Sequence, residues 1–208
     1  MDILACCAIG YFLGNLNPAF FFARLKGYDA RRDGSGNAGA SNAYILAGKK
    51  AFFITAFLDI LKAFLACRIC RLLFPKLVVA EAIGGVACIL GHMFPVLLRF
   101  HGGKGLASLG GVILSWHWQA FLLLLALALV IGFASHYVCV VAPTMSLLFP
   151  GVYFVTTHML ASTLVLLIPA VPIFWKHMEN FRRIREGTEL RLSYLWNKES
   201  EMKRTGRS

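Results

Sequence analysis

Apolar stretches of about the 20 residues that a helix needs to cross a bilayer core dominate this chain, with short polar, glycine-rich runs between them. They cover 3–23, 51–74, 77–98, 106–133, 137–156 and 158–175. The fourth decides the topology. Read as one span it gives an even number of crossings, which puts the two basic clusters of the chain on opposite sides of the membrane, against the positive-inside rule. Trp116-His117-Trp118 interrupts it with rings that favour an interface. A division there predicts an all-α polytopic membrane protein of about seven membrane helices, some short or re-entrant, with the N-terminus outside and the C-terminus cytoplasmic. Both glycine-rich runs and His136 then face the cytoplasm, while Arg68, Arg71 and Lys76 face outward.

Composition agrees. Of 208 residues, 58% are hydrophobic and 15% charged, too oily for a soluble domain of this length. The net charge of +11 is concentrated. Arg24, Lys26, Arg31, Arg32, Lys49 and Lys50 flank the first glycine run. Arg182, Arg183, Arg185, Arg191, Lys198, Lys203, Arg204 and Arg207 crowd the tail. Such clusters beside apolar spans orient a protein and attract anionic lipid. Nucleic acid is excluded, because no soluble basic and aromatic module accompanies the charge. The first 25 residues lack the basic start and small-residue cleavage site of a signal peptide and read as a retained span. Six cysteines lie in apolar surroundings, where packing is the expected role even for Cys67-x-x-Cys70.

Chemistry gathers in two runs that each lead into an apolar stretch, Asp33-Gly-Ser-Gly-Asn-Ala-Gly-Ala-Ser-Asn42 and His101-Gly-Gly-Lys-Gly105. Glycines let several backbone N–H groups converge on one anion, and a helix N-terminus behind them favours phosphate. Lys104 adds an ammonium beside Gly102, Gly103 and Gly105. The spacing is not that of a Walker A loop, and an ordinary cytoplasmic turn is the alternative. In the first run Ser35, Gly36, Asn37 and Asn42 offer hydroxyl, amide and backbone donors suited to a phosphate or a developing oxyanion. No base adjoins Ser35, so it reads as a binder and not a nucleophile, with a helix cap as the alternative. His92 follows Gly91 at the end of the third span, and Phe94-Pro95 bends the chain toward Lys104. It suits either a substrate contact or a structural hydrogen bond. His177 and Asn180, three apart, share a face at the end of the last span, where interfacial anchoring is the alternative. Asp59 and Lys62 share a face inside the second span and are expected to pair, while Gly10-x-x-x-Gly14 permits close helix approach. No metal site or cofactor is expected, since the histidines lack paired ligand spacing. No histidine precedes an aspartate by five positions, so the dyad of acyltransferases with soluble donors is absent.

Taken together, Ser35-Gly36-Asn37-x-Gly39-Ala40-Ser41-Asn42, Gly91-His92-x-Phe94-Pro95-Val96 with Phe100-x-Gly102-Gly103-Lys104-Gly105, and His177-x-Glu179-Asn180 with Gly187-Thr188-Glu189 resemble the bacterial acyl-phosphate:glycerol-3-phosphate acyltransferases (the PlsY type). Asp59-Ile60-Leu61-Lys62 is similar to their second span. The resemblance extends to about Leu192. It implies one integral membrane acyltransferase domain over 1–192 and a basic cytoplasmic tail over 193–208. It also implies a multi-pass enzyme of the bacterial cytoplasmic (inner) membrane whose active site faces the cytoplasm. The implied reaction moves a fatty acyl group from acyl phosphate to glycerol 3-phosphate, giving lysophosphatidic acid and phosphate, with an upstream enzyme supplying the acyl phosphate. On this resemblance Ser35, Lys104, His177 and Asn180 are catalytic, Gly102 and Gly103 form the phosphate loop, and Asp59, Lys62 and Glu179 are structural. The chain departs from the pattern at Ile45, where the family has Arg, and at Cys139, where it often has Ser. Ile45 supports a second reading, a degenerate or altered-substrate paralogue that binds phosphorylated lipid intermediates without this turnover. An anion transporter ranks last, because no inverted repeat appears.

Overall fold

The computed structural model describes residues 1–206; Arg207, counted in the basic tail, lies outside the described residues. Every regular element described is helical: α1 (Asp2–Asn15), α2 (Pro18–Leu25), α3 (Ala40–Leu73), α4 (Ala80–Met93), α5 (Leu106–Trp116), α6 (Trp118–Ser135), α7 (Val141–Thr157), α8 (Leu160–Leu167), α9 (Ala170–Arg185) and α10 (Lys198–Arg204), with single tight turns between some of them. Five stretches are long and apolar enough to cross a membrane: Asp2–Leu25, Ala80–Leu98, Trp118–Ser135, Val138–Thr157 and Leu160–Arg185. α5 is a shorter apolar helix, and α3 carries Asp59, Lys62 and Arg68 in its middle.

Several helices break where the sequence reading kept one span. The stretch 3–23 divides at Leu16 and Asn17, both extended, because Pro18 cannot supply an N–H and Asn17 caps the helix that follows. The helix at 51–74 begins earlier, at Ala40, and is interrupted by Gly48 at φ +85°. The stretch 158–175 breaks before Pro169 and then runs on to Arg185, which makes His177 and Asn180 helical residues. The expected division at Trp116–Trp118 is present, with His117 extended between α5 and α6.

Small residues set the packing. A methyl placed on Gly10 would lie 2.2 Å from the Gly84 carbonyl oxygen, and one on Gly14 would lie 2.3 Å from that of Cys88. α1 therefore rests backbone to backbone on α4, an approach that larger side chains forbid. Cys67 and Cys70 fill the space beside Gly85 and Gly84, the packing role expected of them. Ala63, Ala66 and Cys67 of α3 meet Ile89 and Met93 of α4, Leu109 and Val112 of α5, and Met145 and Phe149 of α7 in one core. α6 stays at the periphery, with only Leu124 and Gly132 buried.

Two ends emerge. Cys6 and Cys70 meet near one end, where Arg71 pairs with Glu81 at 3.1 Å and Ser115 donates to Glu81 at 2.6 Å. Arg71, which the sequence reading placed facing outward, thus has a counter-ion. The polar loops and the tail occupy the opposite end, the tail fixed by the Leu192 N–H on the His136 carbonyl at 2.7 Å. Between the ends Lys62 pairs with Asp59 at 2.6 Å and donates to the Leu16 carbonyl at 2.7 Å and that of Gly14 at 3.2 Å. Both charges are buried, and the ammonium satisfies carbonyls that the end of α1 leaves without helical partners.

Candidate active site

The first glycine loop is wired mainly to itself. Gly34 and Gly36 take positive φ, +66° and +67°, and a methyl on Gly34 would lie 2.2 Å from the Asn42 side-chain oxygen. Asn42 is fully buried. Its oxygen accepts the Ser35 N–H at 2.8 Å, and its amide donates to the carbonyls of Ala30 at 3.0 Å and Asp33 at 3.1 Å. Asp33 accepts the Asp29 N–H at 2.7 Å. Arg31 grips Asp29 through Nε at 2.9 Å and a terminal nitrogen at 2.6 Å. The Arg31 guanidinium holds the Asp29 carboxyl well below the usual carboxylate range. Asn17, at the joint of α1 and α2, donates to the Ala38 carbonyl at 3.0 Å. The loop ends at Gly39, which begins α3 without a side-chain cap among the described residues, an end at which first-turn N–H groups have no helical acceptor.

The second glycine loop abuts the first, since a methyl on Gly39 would lie 3.9 Å from Gly103 Cα. Its backbone N–H groups are held from the end of α4. The Gly102 and Gly103 N–H groups donate to the Met93 and His92 carbonyls at 3.2 and 3.1 Å. A methyl on Gly103 would strike the His92 ring, 2.1 Å from Nε2. Gly105, at φ +90°, starts α5, again without a side-chain cap. Ser108, in the first turn of α5, is fully buried and its hydroxyl has no partner among the described residues. The start of α3 thus lies close to the loop that leads through Lys104 into the start of α5.

Lys104 is half-buried and donates to the side-chain oxygen of Asn180. The Asn180 amide donates to Glu189 at 2.6 Å, and Arg183 donates to the other Glu189 oxygen at 2.6 Å. Burial, helped by the nearby Arg183 charge, brings the Lys104 ammonium down to about 8. His177 is buried with Nδ1 2.7 Å from the Ile173 carbonyl. A carbonyl can only accept, so Nδ1 carries a proton, and in the neutral form of the ring Nε2 would hold the lone pair. His177 lies within electrostatic reach of Lys104 and Lys176. Cys139 lies in the same field as Lys104, Glu189 and Arg183.

The tail closes over this end. Arg204 donates to the carbonyls of Gly187 and Glu189, both at 2.6 Å. Glu201 accepts from Ser193 at 2.8 Å and from Arg204 at 2.8 Å. Tyr194 packs on Tyr44, ring centroids 5.4 Å apart.

A family model described as glycerol-3-phosphate acyltransferase matches residues 4–187. The chain belongs to the glycerol-3-phosphate acyltransferase family. Family members in Coxiella burnetii (strain RSA 493 / Nine Mile phase I) and Agrobacterium fabrum are each 37% identical to it. The first aligns over 91% of this chain and 97% of its own length, the second over 91% and 92%. Crystal structures of the integral membrane glycerol 3-phosphate acyltransferase PlsY superpose on this acyltransferase fold. Its glycerol 3-phosphate form gives a TM-score of 0.85 at 31% identity, covering 94% of this chain and 98% of that one. Its lysophosphatidic acid form gives 0.81 at 31%, covering 92% and 95%.

Against this acyltransferase background the expected residues sort by what their side chains touch. Lys104, Asn180 and His177 come together between the second loop and α9. Ser35, Gly36 and Asn37 lie on the adjoining first loop. Asn42 and His92, expected to touch phosphate, instead have their side chains committed within the protein. Asn42 holds the first loop, and His92 Nδ1 lies 3.0 Å from Lys62 and 3.3 Å from Asp59. Asp59 and Lys62 pair at 2.6 Å within α3. Glu179 is exposed and pairs with Arg182 at 2.9 Å and Arg183 at 3.3 Å. Sequence reading missed Lys176, Ser108 and the Arg183–Glu189 pair. The only signal for Lys176 was a lysine at the end of an apolar run, which also describes an interfacial lysine that snorkels.

Proposed function

We propose that this family member transfers a fatty acyl group from acyl phosphate to the sn-1 hydroxyl of glycerol 3-phosphate, releasing phosphate and lysophosphatidic acid. One observation carries the reading: the uncapped start of α3 at Gly39 abuts Gly103 of the loop that carries Lys104 into the uncapped start of α5. That arrangement suits a reaction with a phosphate on the acceptor and another on the leaving group. An apolar groove of about 610 Å³, lined by Val140, Leu147, Phe174 and Phe181 among others, suits an acyl chain.

Acyl phosphate is an activated mixed anhydride. The acceptor hydroxyl attacks its carbonyl carbon, the acyl C–O bond to phosphorus breaks, and phosphate leaves with the bonding pair. Lys104 and the free N–H groups of the second loop stabilise that charge, while Asn180 aims the ammonium. Ser35 and its loop hold the acceptor. The hydroxyl proton passes either to the phosphate of the acceptor itself or to Nε2 of His177. Positioning and charge stabilisation supply most of the rate for so activated a donor.

The basic clusters and the tail share the end that holds the loops, which supports a cytoplasmic active site in the inner membrane with the N-terminus outside. An upstream enzyme that forms acyl phosphate would then deliver it from the cytoplasm. The test is purified protein with palmitoyl phosphate and glycerol 3-phosphate, assayed for lysophosphatidic acid and phosphate. Binding of glycerol 3-phosphate without product would favour the paralogue reading that Ile45 supports.

A further inference from the structure

Lys176 stands one residue before His177 on α9, and its ammonium is fully engaged. Nζ donates to the Met93 carbonyl at 2.7 Å, the Gly102 carbonyl at 3.1 Å and the Gly103 carbonyl at 3.2 Å. An ammonium has three protons, so none remains for a substrate. The Phe94 ring covers it, its centroid 5.0 Å from Nζ, and Trp175 stacks on Phe94 at 6.1 Å.

We infer that Lys176 is a positioning residue that sets the peptide orientation of the second glycine loop. The inference rests on the phosphate-handling role given above to that loop. In a planar trans peptide the carbonyl and the following N–H point in opposite directions. Drawing the Gly102 carbonyl toward Lys176 turns the Gly103 N–H the other way, where the His92 carbonyl accepts it at 3.1 Å. Drawing the Gly103 carbonyl toward Lys176 turns the Lys104 N–H away as well. That N–H has no acceptor among the described residues. It is left as a donor for an anion, next in the chain to the uncapped start of α5. Glycines at 102 and 103 make both peptide orientations accessible, and the ammonium selects one. A glycine loop without such a clamp spreads over many conformers, and donors that must reorganise stabilise charge less well than donors already in place.

A lysine that merely tied α9 to α4 would affect stability alone, so the test separates the two effects. Lys176→Met keeps the stem and removes the donors; Lys176→Gln keeps two donors without charge. Each purified variant is melted with and without inorganic phosphate, and kcat and KM are measured with palmitoyl phosphate and glycerol 3-phosphate. Lys176→Met is expected to lose on the order of 10²-fold in kcat and to lose most of the stabilisation by phosphate. Lys176→Gln should fall between it and wild type. A folded Lys176→Met or Lys176→Gln with wild-type kcat and an unchanged phosphate shift overturns the inference. So does activity that falls only in step with melting temperature. The phosphate shift is read without turnover, so it tests Lys176 even where wild type makes no lysophosphatidic acid, a result that counts instead against the donor reading.

Discussion

The two glycine loops lie side by side but differ in how far their ties reach along the chain. The first is organised chiefly by its neighbours: Asn42 reaches back over 12 residues or fewer to Ala30, Asp33 and Ser35, and Asp29, Arg31 and Asp33 bind one another. The second has local backbone bonds to Met93 and His92 and is tied in addition to α9, through Lys176 and Asn180, which lie 73 to 83 residues from their partners. A locally wired loop keeps its shape when the helices around it shift. A loop also wired to a distant helix keeps its full shape only while that helix is docked, so the position of α9 bears on the geometry of the second loop.

The sharpest way to break this comparison is Lys104→Ala, which removes the ammonium that joins the second loop to α9. Activity should drop on the order of 10²-fold; a rate within a factor of two of wild type would reduce Lys104 to an interface lysine. Next is Ile45→Arg, which adds to α3, behind the first loop, the guanidinium that the family pattern carries there. Arg31 is already paired with Asp29 and is a poor substitute. A charge-assisted contact of roughly 1.5–3 kcal/mol should tighten glycerol 3-phosphate binding about 10- to 100-fold, measured as KM or by calorimetry. Weaker binding in the variant, with normal binding in the native protein, would mean that another cation has taken the role.

Asn42→Ala sharpens the comparison from the local side. It strands the Ser35 N–H and the Ala30 and Asp33 carbonyls, and buried groups left without partners cost about 1–3 kcal/mol each. Melting temperature should fall and proteolysis should speed up between residues 31 and 39, while the pH response of Lys104 stays as it was. A change in that response would show the two loops to be one cooperative unit. The smallest effect near neutrality is that pH response itself. Lys104, held down to about 8, is charged below that pH and neutral above it, so activity should decline as pH rises through about 8. Lys104→Arg stays charged throughout and should lack that alkaline decline whatever its absolute rate.

The difference in wiring also explains what could be read in advance. Both loops were visible as glycine and polar runs at the mouths of apolar stretches, and the break at His117 was visible in its flanking tryptophans. These are short-range signals. The breaks at Gly48 and before Pro169 lie inside runs whose average hydropathy hides them. Asn42 and His92 look like ligands from their neighbours, and only the fold shows their side chains turned inward. Lys176 has nothing local to mark it, because its partners come together only when α9 packs against α4.

The buried pair in α3 bears on how the chain enters the bilayer. Asp59 and Lys62 stand one helical turn apart with their charged atoms 2.6 Å from each other, so the helix carries a counter-charge for Lys62 within itself before any neighbour packs against it. His92 and the carbonyls of Gly14 and Leu16 join the pair only when α4 and α1 arrive. The charges thus spare the helix during insertion and serve afterwards as the address at which its neighbours dock.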